Sequence, residues 1–98
     1  MLTKETVMAE LKHVLDPEMG FNVVELGLIY AVEIKAGKAH ITMTLTSMAC
    51  PAGPQIVDGV KAAAQRAGAK EVKIDVTFQP PWTPEKMSED VRMALGMV

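Results

Sequence analysis

The sequence predicts an α+β fold, a two-layer sandwich in the order α-β-β-α-β-α, with a three-stranded mixed sheet carrying its helices on one face. Three observations predict it. Two segments that alternate apolar and polar residues flank the short connection Lys35-Ala36-Gly37-Lys38, the signature of an antiparallel hairpin. A third alternating segment is reached only through a helical stripe, as a crossover to a parallel strand requires. Helical periodicity also stands at both ends of the chain.

The first helix is read over 3–15. Val7, Leu11, Val14 and Leu15 share one face of a 3.6-residue period, Thr3 is placed to cap the first turn, and Pro17 stops the element. The strands of the hairpin are read over 23–35 and 38–46. In the first, Tyr30, Val32 and Ile34 alternate with Ala31, Glu33 and Lys35; in the second, Ala39, Ile41, Met43 and Leu45 alternate with His40, Thr42, Thr44 and Thr46. A loop over 47–54 opens the second helix, which runs to about Ala67 on the stripe Ile56, Val57, Val60, Ala63, Ala64 and Ala67, with Gly68 ending it. The third strand is read over 71–78, with Val72, Ile74, Val76 and Phe78 on one face. Pro80-Pro81-Trp82 breaks it. Thr83 then caps a last helix with Pro84 at its first position, Trp82 and Met87 forming a hydrophobic staple, and the helix continuing to about Leu95.

Composition bounds the function. The 98 residues suit a single domain over 1–98. A formal net charge of −2, with no run of like charges, argues against nucleic acid and against a polybasic membrane anchor. No apolar stretch approaches the roughly 20 residues that span a bilayer. The N-terminal segment carries Glu5 and Glu10 in an amphipathic pattern, unlike a secretory leader. One cysteine excludes an internal disulfide, so a cytoplasmic, reducing location is expected.

Cys50 is the first candidate for chemistry. It stands before Pro51 in the loop that opens the second helix, where free N–H groups and the helix dipole favour a thiolate, the form that binds metal. The competing reading is a small buried hydrophobe. Thr46, closest to that loop among the threonines of its strand, is either placed to donate to a thiolate or sulfide or present for β-propensity on a solvated face; that propensity accounts for Thr42 and Thr44. Asp16 and Glu18 flank Pro17, either as metal-binding or capping carboxylates or as a plain helix stop. His40 shares the threonine face but lies at the hairpin end of its strand, six residues at about 3.3 Å each from the loop. That distance excludes it as a base for Cys50. His13 faces away from the apolar stripe. A nucleophilic enzyme is therefore disfavoured, since no base is at hand. Trp82 either staples the last helix or anchors a partner.

Asp16-Pro17-Glu18, the run Val23-Val24-Glu25-Leu26-Gly27-Leu28-Ile29-Tyr30, Met43-Thr44-Leu45-Thr46 with Cys50-Pro51, and Pro80-Pro81-Trp82-Thr83 occur in an order and spacing that resemble the SufT/PaaD-like family of metal–sulfur cluster assembly proteins. The resemblance covers nearly the whole chain. It implies an iron–sulfur cluster assembly-type domain and a non-enzymatic accessory role in maturing iron–sulfur proteins. The family's motif positions fall on Asp16, Glu18, Thr46 and Cys50, with Cys50 as the metal ligand. It further implies a transient iron–sulfur cluster or iron as cargo, with scaffold or carrier proteins and client apoproteins as partners. The family's phenylacetate-degradation branch is longer and carries additional cysteines; it supplies the alternative, a small accessory subunit of a multicomponent oxygenase. One thiolate is a poor ligand set for a cluster, which usually takes four, so a homodimer is expected.

Overall fold

The computed structural model describes residues 1–46 and 51–96. Over these the elements are α1 (Lys4–Leu11), β1 (Ile29–Lys35), β2 (Lys38–Met43), α2 (Gly53–Arg66), β3 (Glu71–Val76), a 3-10 turn (Pro84–Lys86) and α3 (Glu89–Ala94). The sheet order is β1-β2-β3, with β1–β2 antiparallel and β2–β3 parallel. The expected α-β-β-α-β-α order and mixed sheet are both present.

Local chemistry sets each boundary. At the start of α1, the Thr3 hydroxyl accepts from the Thr6 N–H and the Thr6 hydroxyl accepts from the Thr3 N–H, a reciprocal capping box. The helix ends at Leu11, four residues short of the expected end. The His13 and Val14 N–H groups donate to Glu10 and Leu11, tightening the last turn, and Leu15 then forms a β-bridge with Asn22. Val14 and Asp16 are buried while Leu15 is 58% exposed. The period there is two, not 3.6, because the chain has left the helix to build a small hairpin over 14–23.

The segment 23–28 is not strand, as expected from its apolar run, but a turn. The Asn22 side chain accepts from the Glu25 N–H, and the Leu26 and Leu28 N–H groups bond back to Asn22 and Val23. Its apolar residues still reach the core: Val23, Leu26 and Leu28 are fully buried. At the hairpin tip Ala36 and Gly37 both have positive φ, 52° and 79°, the arrangement of a type I′ turn. A bulge in β1 between Ile29 and Ala31 leaves Tyr30 as the extra residue.

β2 stops at Met43. Thr44 is completely buried, its N–H donating to Leu28 O, so the expected Thr42-Thr44-Thr46 face breaks there. β3 likewise ends at Val76 instead of 78. The expected last helix is two pieces. Pro84–Lys86 is a single 3-10 turn, and α3 begins afresh with Ser88, whose hydroxyl accepts from the Val91 N–H. Ser88 N–H donates to Glu25 O at 2.7 Å, which pulls the chain out of helical register between the two pieces.

The sheet's inner face meets α1 and α2. Ala39, Ile41 and Met43 of β2 are buried against Val7 and Leu11 of α1 and Ile56, Val60, Ala63 and Ala64 of α2, with Met87 and Val91 closing one end. Gly59 lets α2 approach the 14–23 hairpin closely: a Cβ there would stand 3.0 Å from Val14 Cγ1. No helix among the described residues is long and apolar enough to cross a membrane.

Candidate functional site

Asp16 is buried, 1% exposed, although it carries a carboxylate. Its own turn accounts for part of this. Asp16 Oδ1 accepts from the Glu18 N–H at 2.8 Å, and its carbonyl accepts from Met19 and Gly20. Its N–H donates to Phe21 O. Pro17, with fixed φ, sits between the two carboxylates and sets this Asx turn. The turn turns Asp16 inward and leaves Glu18 exposed.

Thr46 is half-buried, just past β2. The preceding Leu45 packs against the first residue of α2, with its Cδ1 2.9 Å from where a Gly53 Cβ would be. Bare Gly53 thus lets the end of β2 lie on the start of α2. That helix is capped by Ala52, whose side chain has no acceptor, and Pro54 has no N–H. Among the described residues, its first-turn N–H groups at Gly53 and Gln55 have no side-chain cap. The fourth expected site residue, Cys50, lies outside the described residues, between Thr46 and Pro51. Asp16 and Glu18 share one turn; no hydrogen bond joins Asp16 to Thr46 among the described residues. Nor, among these, do three or more His, Cys, Asp or Glu side chains converge as a metal site.

Sequence reasoning missed two features near this region. Trp82 Nε1–H donates to Leu26 O at 2.7 Å, and Tyr30 OH donates to Pro80 O at 2.8 Å. Together they strap the segment after β3 across the far side of the sheet, onto the 23–28 turn. The apolar run through Leu26 gave no sign that its carbonyl would be an acceptor.

The other is on the outer face of the sheet. His40 Nε2 lies 2.6 Å from Asp75 Oδ2 and its Nδ1 3.6 Å from Glu33 Oε1, so three strands contribute to one polar cluster. The hydrogen bond with His40 holds the Asp75 carboxyl below its ordinary value, opposed by partial desolvation and assisted by the Lys73 charge. Hairpin length alone places Glu33 opposite His40; Asp75 enters through the parallel register, which no local signal carries.

A family model described as iron–sulfur cluster assembly protein matches residues 4–76. The chain belongs to that family. It is 48% identical over 96 residues to an Fe-S protein maturation auxiliary factor, YitW, of Bacillus subtilis, covering 96% of this chain and 94% of the relative. It is 43% identical over 86 residues to the Fe-S protein maturation auxiliary factor SufT of Staphylococcus aureus, covering 86% and 98%. Among solved structures, a domain of unknown function, DUF59, from Bacillus anthracis superposes with a TM-score of 0.89 at 39% identity, covering 97% and 92%. Family and fold both match what the sequence motifs implied.

Proposed function

We propose that this chain is an accessory factor in the maturation of iron–sulfur proteins and that it acts by binding and transfer, not by catalysis. Membership of the iron–sulfur cluster assembly family carries the reading. The names of its relatives, auxiliary maturation factors, support it. The working unit is one domain over 1–98, acting in the reducing cytoplasm.

Cys50 is the working thiol of this proposal. It is the chain's one cysteine and is followed directly by Pro51 and the start of α2, whose N-cap residue Ala52 offers no side-chain acceptor. First-turn N–H groups of a helix favour a neighbouring anion, and the thiolate is the species that binds iron. Thr46 supplies a hydroxyl donor beside it, and Asp16 and Glu18 shape the approach. The cargo is an iron–sulfur cluster or iron. Clusters usually take four thiolates, so a single chain shares its cargo: with a second copy, and with the scaffold, carrier or client that delivers or receives it.

Anaerobic reconstitution with iron and sulfide, on the unaltered protein and on Cys50→Ser, tests this by iron content per chain and visible absorption. Cys50-dependent uptake is the expected result. If neither protein takes up iron, cargo handling at Cys50 is refuted and the chain acts as an adaptor between assembly machinery and client.

A further inference from the structure

We propose that the free edge of β3 pairs, antiparallel, with β3 of a second copy of this chain, joining two three-stranded sheets into one of six strands. Among the described residues, β3 has a strand on one side only. Its Thr77 N–H donates to Met43 O, so the odd-numbered residues bond to β2 and Val72, Ile74 and Val76 turn their N–H and C=O groups to the open edge. An edge of this kind is a template for another strand unless it is covered or blocked. The segment after β3 does not cover it: Tyr30 and Trp82 tie that segment to β1 and the 23–28 turn, on the opposite side of the sheet.

The inner face of β3 is also unfinished. Ala39, Ile41 and Met43 of β2 are buried, but of their partners across the register Val72 and Ile74 are half-buried and Val76 is 40% exposed. α2 packs against β3 but does not finish covering it, so these three side chains stay partly open.

Charge and apolar cover together select the occupant and the register: an axis on Val72 would oppose Glu71, already paired with Lys38, to Lys73 but set Val76 opposite Gly68 and leave it uncovered. The outward backbone groups of two copies meet only when even-numbered residues face each other. Centring the two-fold axis on Val72–Ile74 would oppose Lys73 to itself, and centring it on Ile74–Val76 would oppose Asp75 to itself. Centring it on Ile74 places Lys73 opposite the second copy's Asp75 twice, on the outer face. On the inner face the same register pairs Ile74 with Ile74 and Val72 with Val76, covering the exposed apolar residues. The interface is self-complementary, as a two-fold dimer requires. Asp75 would then lie between Lys73 of the second copy and its own His40.

The test combines equilibrium sedimentation with amide hydrogen exchange, in the absence of iron. Lys73→Glu and Asp75→Lys each convert both cross-strand pairs to like charges and should raise the dissociation constant about tenfold or more. An equimolar mixture of the two variants restores both opposite-charge pairs, and should associate as a heterodimer with about the unaltered affinity. This rescue also shows that both variants fold. The Val72, Ile74 and Val76 amides should be protected in the unaltered protein and lose protection in Lys73→Glu. The proposal is overturned if the unaltered protein stays monomeric at high micromolar concentration. It is overturned equally if the dimer is indifferent to Lys73→Glu, or if the mixture fails to associate. None of these results depends on the cargo reading, and failed iron uptake would leave the edge pairing standing.

Discussion

Gly27 is the position where a single methyl group should do most damage. Its φ is +75°, and a Cβ there would stand 2.2 Å from Lys86 O and 2.7 Å from Lys86 C. Both are backbone atoms, so no rotamer change relieves the overlap. A carbon and a carbonyl oxygen keep about 3.3–3.6 Å apart even when they attract, so Gly27→Ala must displace the Lys86 backbone by about 1 Å. That displacement falls on two bonds. Ser88 N–H to Glu25 O and Trp82 Nε1–H to Leu26 O, both 2.7 Å, hold the 3-10 turn against the 23–28 turn. Left-handed backbone costs a non-glycine residue about 1–2 kcal/mol, and each lost hydrogen bond about 0.5–1.5 kcal/mol. Together they predict a loss of about 2–5 kcal/mol, against a total stability of about 5–15 kcal/mol. Gly20→Ala is the control. Its φ is +76°, but none of the described residues lies within 4 Å of the added Cβ. It carries the left-handed cost alone, about 1–2 kcal/mol, and the effect of glycine loss on the unfolded chain is common to both and cancels. Urea denaturation of the two variants should therefore separate them by at least about 1 kcal/mol at unchanged m value. Equal losses would refute the close approach between residues 27 and 86 and the strap built on it.

Two further outcomes follow from the same contacts. Trp82→Phe keeps most of the packing but removes the donor to Leu26 O, and should cost about 0.5–1.5 kcal/mol in the same assay, with a larger share of the loss lying at residues 80–88 by hydrogen exchange. His40→Gln should let the Asp75 carboxyl rise toward its ordinary 3.8, read by NMR titration of the carboxyl carbon. The sign follows from linkage: a carboxyl depressed in the folded state stabilises above its unfolded value, and the contribution is lost as pH falls through the folded one. The stability advantage of the unaltered protein over His40→Gln should accordingly be full above 3.8 and shrink as pH is lowered below it.

Much of this was legible in the chain because the signals are local. Alternation within 29–35 and 38–43, a two-residue turn between them, and the stripe from Ile56 to Ala64 need no knowledge of distant residues. Thr3 as a cap was readable for the same reason. The motif around Asp16, Gly27 and Cys50-Pro51 was enough to reach the family that the comparison established.

What failed did so where distant partners override local pattern. Val14 and Leu15 fit a helix by spacing, yet the bridge to Asn22 ends that helix at Leu11. Val23 to Leu28 reads as strand because it is apolar, but Asn22 closes a turn and the apolar side chains enter the core from it. The last helix divides because Glu25 O, more than sixty residues away, takes the Ser88 N–H. Of the site, the sequence by itself determined which residue types stand beside one another: a carboxylate before a proline, a lone thiol before a helix. Only the tertiary structure decided that Asp16 faces inward while Glu18 stays outside, and that Gly53 brings the end of β2 onto the start of α2. The physical reason is the same throughout. Propensity and periodicity act over a few residues, whereas burial, register and the partners of backbone polar groups are set by segments that meet only when the chain has folded.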